Sequence, residues 1–306
     1  MAFGGINTTG NHPKALWPGV ENHWWGTYNA HEKEFTKIFD EVKSNKNYEE
    51  YVQSTGFPLA PIKDESTGVQ FASHEQGFVT RAINVVYGLG YIVTAEEIED
   101  NLYEDKAFDR AGRLAFSMNS TQETVAANML NRAFNSSYTF GDAKEMIATD
   151  HPTISGGTFS NELSTAAALT ESSIEDLVIQ IMGAENDEGL LIALMPECLI
   201  IPRNLWYEAT RILESDLSAN NANNAVNVLK MTNTFPGGIV MNHYLTDTNN
   251  WFIKTNAQKG LMYLNRRPIA FTRDNDFNTD NALAKATQRY TFTIGDPRGI
   301  YGSAPA

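Results

Sequence analysis

The feature that most constrains the fold is a long run of helical periodicity between Asp105 and Phe134. Apolar side chains recur there at three- and four-residue steps, as one stripe: Ala111, Leu114, Ala115, Met118, Val125, Met129, Leu130 and Ala133. A helix of this length spans about 45 Å at 1.5 Å per residue, which is long for a globular domain. Thr94–Glu97 forms a capping box that predicts the start of this helical stretch. The sequence therefore predicts a rigid strut.

The first thirty residues combine turn-forming residues with large aromatic side chains. Seven glycines and prolines discourage regular structure there: Gly4, Gly5, Gly10, Pro13, Pro18, Gly19 and Gly26. Trp17, Trp24, Trp25 and Tyr28 lie among them and need a surface to pack against. That surface belongs either to the same fold or to a neighbouring subunit. Residues 31–52 are then predicted to form a helix, since apolar side chains recur there at helical spacing.

Residues 68–93 have the alternation of extended strands. Val69 and Phe71 alternate with polar neighbours, and Val79–Val85 does so less cleanly. Between them, His74–Gly77 offers a glycine-containing turn, so we expect a long hairpin. Because it has few large apolar residues for a core, the hairpin is expected to project from the body of the protein.

The second half of the chain mixes helices with strands. A capped helix is expected from Ser172 to Gly183, with one apolar face: Ile174, Leu177, Val178 and Ile181. A buried strand (Leu190–Ile201) and a helix (Asn204–Ser215) follow, and strands dominate after Gly238. Thr246–Asn250 is expected to close a hairpin. The predicted fold class is α+β.

The charge and the cysteine content exclude several classes of protein. A net charge of −14 excludes a general binder of nucleic acid or anionic membrane, which needs a dense basic patch. An acidic protein can still enclose DNA, because the wall of a container should not bind the DNA inside it. The single cysteine, Cys198, excludes an intrachain disulfide, and its apolar neighbours predict a buried thiol. No segment is apolar enough to cross a bilayer, and a cytoplasmic origin is expected.

A search for catalytic motifs finds only incomplete ones. His31–Phe35 begins like a zinc-protease helix, but Phe35 stands where the second histidine ligand belongs. Gly88–Gly90 begins like a dinucleotide loop, but Val93 occupies the third glycine position. Asp150–Pro152 suits a turn better than an active site. We therefore expect no catalytic, cofactor-binding or metal-binding residues and no enzymatic activity, although residues assembled in three dimensions would escape this search.

Five parts of the sequence resemble the major head proteins of tailed bacteriophages and prophages. They are ALWPGV (Ala15–Val20), YGLGYIVT (Tyr87–Thr94), ETVAAN with LNRAF (Glu123–Asn128, Leu130–Phe134), NHYLTD with WFIKT (Asn242–Asp247, Trp251–Thr255) and DPRGIYG (Asp296–Gly302). They keep the family order across nearly the whole chain. None is a chemical signature alone, so the resemblance rests on the set.

The resemblance implies the HK-97-like capsid fold. It implies an N-terminal arm with the first helix over residues 1–61 and an E-loop hairpin over 62–94. A peripheral domain with a long spine helix would comprise 95–145 and 261–306, and an axial domain 146–260. Some relatives begin with a cleaved scaffolding region, which is not expected here because the arm motif already starts near Ala15. Some also cross-link their subunits through lysine and asparagine, but no matching motif surrounds Lys63.

The function implied is that of a structural major capsid protein. Pentamers and hexamers of such a protein form an icosahedral phage head around double-stranded DNA, without sequence-specific binding. Expected partners are other copies of the chain, a separate scaffolding protein, a portal and, in some relatives, decoration proteins, with no membrane. The expected location is the virion, after assembly in the cytoplasm of the bacterial host. Two alternatives stay open: an encapsulin-like compartment that encloses an enzyme, and a soluble bacterial hydrolase.

Overall fold

The computed structural model describes residues 13–99, 103–217, 226–276 and 279–305, in two compact units. Unit one takes the described residues of Met1–Lys33, Val85–Thr124 and Arg266–Tyr290. Unit two takes those of Glu34–Asn84, Val125–Asn265 and Thr291–Ala306.

Helices and strands are interspersed along the chain. The helices are α1 (Pro13–Ala30), α2 (Ala95–Glu99), α3 (Tyr103–Asn131), α4 (Glu171–Met182), α5 (Trp206–Glu214) and α6 (Val228–Met231). The strands are β1 (Asp40–Lys43), β2 (Tyr48–Ser54), β3 (Gln76–Ile83), β4 (Val85–Val93), β5 (His151–Pro152), β6 (Thr158–Phe159), β7 (Pro196–Pro202), β8 (Ile239–Asn242), β9 (Trp251–Thr255), β10 (Leu261–Asn275), β11 (Ala282–Ile294) and β12 (Ile300–Ser303). Three short 3-10 helices cover Glu34–Lys37, Arg203–Leu205 and Pro297–Gly299.

In unit one, α1 and α3 pack together beside the pair of β4 and β11. Strand β4 runs antiparallel to the 282–290 part of β11. The shared core is built from one face of each helix and a small residue of β11: Val20, Trp24, Tyr28, Ala111, Leu114, Ala115, Met118 and Ala286. The predicted long helix is therefore confirmed as α3, although it ends at Asn131, three residues before the predicted end at Phe134. Thr94 also caps α2, because the Glu97 amide donates to its hydroxyl at 3.3 Å.

The expectation of irregular structure before residue 30 is wrong for residues 13–30, which form α1. Val20, Trp24 and Tyr28 recur every four residues and are all buried. The indole of Trp24 stacks on Tyr28 and on Phe271, with ring centroids 5.2 Å and 5.1 Å apart. This burial outweighs the weak helix propensity of the glycines and of Pro18. These aromatics were expected to pack either on the same fold or on a neighbouring subunit, and Trp24 and Tyr28 pack within unit one. The side chain of Trp17 lies outside the described residues.

Unit two contains a four-stranded sheet in the order β12-β9-β7-β8. Strand β7 is parallel to β8 and antiparallel to β9. Helices α4 and α5 cover a large core that includes Ile174, Leu177 and Ile253. The whole predicted apolar face of α4 is buried, but the helix is capped by Thr170, two residues before the expected start. The hairpin predicted at Thr246–Asn250 is wrong, because β7 lies between β8 and β9 and the connection crosses over it.

The prediction of a helix over residues 31–52 is also wrong. Only Glu34–Lys37 is helical, and β1 and β2 follow. Ile38 and Phe39, two of the apolar residues that suggested a longer helix, are buried beyond the end of this short one, and Phe39 packs on Phe292 with ring centroids 4.8 Å apart. Strand β1 runs parallel to the 262–265 part of β10, a partner distant in sequence. Non-local pairing has overridden a local helical pattern here.

The hairpin predicted within residues 68–93 has the wrong strands and the wrong turn. Strand β3 begins at Gln76, inside the predicted turn, and pairs antiparallel with β2. Strand β4 pairs with β11 instead of β3. The buried Asn84 separates β3 from β4, and its amide donates to Ser44 Oγ at 2.8 Å. The observed ribbon therefore consists of β2 and β3, joined by residues 55–75.

Candidate assembly surfaces

The connection between β2 and β3 presents apolar side chains to solvent. Residues 55–75 contain no helix or strand. Five large apolar side chains in this segment, which we call the ribbon loop, are exposed: Phe57, Leu59, Ile62, Val69 and Phe71. Ile62 is 95% exposed and Phe71 97%. Apolar exposure of this extent within one short segment is typical of an interaction surface.

The base of the ribbon loop is tied down, although its tip is exposed. The Thr55 amide donates to the Glu75 carbonyl at 3.0 Å, and the Glu75 amide donates to Thr55 Oγ1 at 2.8 Å. The chain at Gly141 lies directly on β3, because a Cβ atom there would come within 2.6 Å of the Val79 backbone. The ribbon is therefore held at the base of its loop and where Gly141 lies on β3.

His151 was the histidine considered for an active site, and it is completely buried. Its Nδ1 lies 2.6 Å from Asp142 Oδ2, and its Nε2 lies 3.1 Å from Asn161 Oδ1. The Asn161 amide nitrogen donates to the carbonyls of Met146, Pro297 and Ile300 at 2.9–3.0 Å. A general-base histidine has to face its nucleophile and substrate. Both ring nitrogens of His151 face Asp142 and Asn161 instead, so this network ties residues 142–161 to the C-terminal strand.

Cys198 and Lys254 lie opposite each other on β7 and β9. Burial raises the pKa of the Cys198 thiol to about 12, so it stays protonated at neutral pH. Burial also lowers the pKa of Lys254, but a hydrogen bond and the charges of Asp40 and Glu197 outweigh this and leave the pKa raised. Lys254 Nζ lies 2.9 Å from Asp40 and 3.3 Å from Glu197. The predicted buried thiol is confirmed, and it is not poised as a nucleophile.

The described residues contain no group of three or more histidine, cysteine, aspartate or glutamate side chains arranged to hold a metal ion. Among the described helices, none combines the length and the hydropathy that a membrane span requires.

A family model described as "Phage capsid protein" matches residues 80–303, which is most of the chain. The chain belongs to this phage capsid protein family. The resemblance inferred from the sequence motifs is thereby confirmed. No curated protein has a sequence that matches this capsid protein.

The fold of this capsid protein is similar to those of several solved structures, among them a virus-like particle and a mature phage capsid. A virus-like particle from Pyrococcus furiosus is similar with a TM-score of 0.53 at 14% identity, covering 93% of this chain and 98% of that one. The mature capsid of bacteriophage PhiM1 is similar with a TM-score of 0.51 at 11% identity, covering 89% of this chain and 87% of that one. A structure from Mycobacterium phage Adephagia is similar with a TM-score of 0.50 at 11% identity, covering 90% of this chain and 91% of that one. The likeness shows the fold, and the α+β, HK-97-like class expected from the sequence is confirmed.

The sequence assigned no residue to catalysis or to ligand binding. A projecting hairpin was predicted in this region, but Val69 and Phe71 were interpreted as strand, so the exposed apolar loop was not predicted. A usable signal was present: Phe57, Leu59 and Ile62 alternate with Pro58 and Pro61. Prolines suppress regular pairing, so apolar side chains among them have little local structure to pack into.

Proposed function

We propose that this capsid protein self-assembles into pentamers and hexamers of an icosahedral head that encloses double-stranded DNA. The observation that carries the proposal is the exposed apolar ribbon loop in a chain of the phage capsid family. Burial of large apolar side chains is the main favourable term in most protein association. The net charge of −14 supports it further, because an acidic wall does not adsorb DNA.

We also propose which segments of the chain form the parts of the HK-97-like fold. The β2–β3 ribbon with its loop would be the E-loop, in place of the 62–94 hairpin expected from the sequence, and would lie across an adjacent subunit. Helix α3 would be the spine of a peripheral domain (95–145 with 261–306), from which β12 would extend to pair with β9 in the sheet of unit two. The β7–β9 sheet, α4 and α5 would form an axial domain (146–260). Residues 1–61 would be the N-terminal arm and first helix, and within this segment α1 packs in the core of unit one.

The partners proposed are other copies of the chain, a separate scaffolding protein, a portal and decoration proteins. Assembly would take place in the host cytoplasm, before DNA is packaged. The experiment is expression of the full chain with and without candidate scaffolding protein, followed by light scattering and electron microscopy. Rings, tubes or closed shells are the expected products. A sharp monomer peak at high concentration under both conditions would contradict the proposal.

The second candidate is an encapsulin-like compartment, which would have the same fold and self-assembly but a protein cargo. The fold likeness to the virus-like particle from Pyrococcus furiosus favours keeping it. Nuclease-protected DNA in purified native particles would support the phage head, and a co-purifying enclosed enzyme would support the compartment. The hydrolase considered from the sequence gains no support from the family or from the buried geometry of His151.

A further inference from the structure

One long stretch of unit two is rich in acidic side chains and has neither lysine nor arginine. Between Lys144 and Arg203 the sequence contains no lysine or arginine. Ten carboxylates lie in the same stretch: Glu145, Asp150, Glu162, Glu171, Glu175, Asp176, Glu185, Asp187, Glu188 and Glu197. This stretch therefore supplies most of the net charge of −14. Such a concentration of one sign attracts groups of the opposite sign.

Part of this charge is neutralised within unit two. Cations from outside the stretch reach three of the carboxylates, in the pairs Asp150–Lys144, Asp187–Arg298 and Glu197–Lys254. Among the described residues, no salt bridge reaches Glu175, Asp176, Glu185 or Glu188, and all four are exposed. Four of the seven remaining carboxylates are therefore exposed on α4 and on the turn that follows it.

Helix α4 is apolar on two faces, of which only one is covered. Its inner face is buried in the core of unit two. On the outer face, Ile179 is 68% exposed and Met182 44%, three residues apart and so side by side. Leu191, 69% exposed, is brought to the end of α4 because the Ile192 amide donates to the Ala184 carbonyl at 3.1 Å.

The acidic residues border this apolar surface. Glu175 and Asp176 lie four and three residues before Ile179, on the same side of the helix. Glu185 lies opposite Leu191 in an isolated antiparallel bridge. We call these residues together the α4 outer face: Glu175, Asp176, Ile179, Met182, Glu185 and Leu191. An apolar centre with an exposed charged rim is the usual anatomy of a binding surface, and a methionine at its centre adapts to different partners.

We propose that the α4 outer face binds a basic amphipathic helix of a second protein. The apolar stripe of such a helix would cover Ile179, Met182 and Leu191, and its lysines or arginines would reach the carboxylates of the rim. DNA is a polyanion, and the rim repels it. Another copy of this chain also carries a large negative charge, so it is the less favourable occupant.

The test uses the unassembled full-length chain and two fluorescent synthetic peptides of about five helical turns. Both peptides have leucine on one face, and the opposite face is lysine in one and glutamate in the other. We expect the lysine peptide to bind at least about tenfold more tightly by fluorescence anisotropy, with affinity that falls as salt rises. Ile179→Asp should weaken its binding at least about tenfold, and so should the double reversal of Glu175 and Asp176 to lysine.

Tyr207→Asp is the matched control, because Tyr207 is an exposed side chain on α5 of the same unit. It should bind the lysine peptide as the wild type does, and circular dichroism should show all variants folded. Equal binding of the two peptides, or Ile179→Asp binding as tightly as wild type, would overturn the proposal. Shell formation is scored separately. If the peptide does not bind but Ile179→Asp prevents shell formation, the surface belongs to a second copy and the proposal is wrong.

Discussion

The exposed apolar side chains of the ribbon loop predict a specific effect of replacing both Ile62 and Phe71 by serine. Both side chains are almost fully exposed in the single subunit, at 95% and 97%. They therefore contribute almost nothing to the fold of the subunit, and its free energy of unfolding should change by less than about 0.5 kcal/mol.

The same substitutions should matter far more in a shell. Full burial of a large apolar side chain contributes about 1.5 to 3 kcal/mol, so losing two removes roughly 3 to 6 kcal/mol per subunit contact. The conformational entropy lost when the loop becomes ordered offsets part of this burial energy. Even a loss of about 3 kcal/mol weakens an association constant by about a hundredfold, since 1.4 kcal/mol corresponds to tenfold. The critical concentration for assembly should rise accordingly.

The assay is light scattering over a series of protein concentrations, with scaffolding protein added if the wild type requires it. Lys63→Ser is the matched control, because Lys63 is exposed in the same loop but has no apolar surface of this size. We expect Lys63→Ser to assemble as the wild type does. The reasoning would be refuted if the double variant assembled at the wild-type concentration, or if its subunit melted at a markedly lower temperature.

Three further predictions follow from the described contacts. Trp24→Ala should destabilise the single subunit by about 3 to 5 kcal/mol in urea denaturation, because the buried indole leaves a cavity; an unchanged midpoint would show that α1 is not part of the core. Cys198 should resist Ellman's reagent in the folded chain at pH 8, well below its pKa of about 12, and react after unfolding; rapid labelling of the native chain would contradict its burial. In hydrogen exchange, amides of 56–74 should be fast in the subunit and slow in the shell, whereas those of β3 should be slow in both; equal loop protection in both states would place the loop on its own subunit.

The helices that the sequence predicted correctly owe their structure to local periodicity. The buried face of α4 can be recognised in the sequence because residues three and four apart share one side of a helix. It consists of Ile174, Leu177, Val178 and Ile181. The stripe of α3 is legible for the same reason. The equivalent stripe in α1 was masked by its glycines and prolines, although Val20, Trp24 and Tyr28 show the same spacing.

The strands were harder to predict because their partners are distant in sequence. Strand β3 pairs with β2, β4 with β11, and β1 with β10. A glycine turn such as the one at His74–Gly77 favours a local hairpin, but the pairings that bury the most side chains decide the register. The ribbon loop was partly foreseeable: a projecting hairpin was expected in this region, but its strands and its apolar tip were not.

The central claim is that this chain builds a shell. Light scattering combined with electron microscopy of purified full-length protein, with scaffolding protein where needed, tests it most directly. We expect rings or closed shells with pentameric and hexameric clusters, far larger than the 34.0 kDa chain. A single species at the mass of a monomer, at every concentration and with scaffolding protein present, would contradict it.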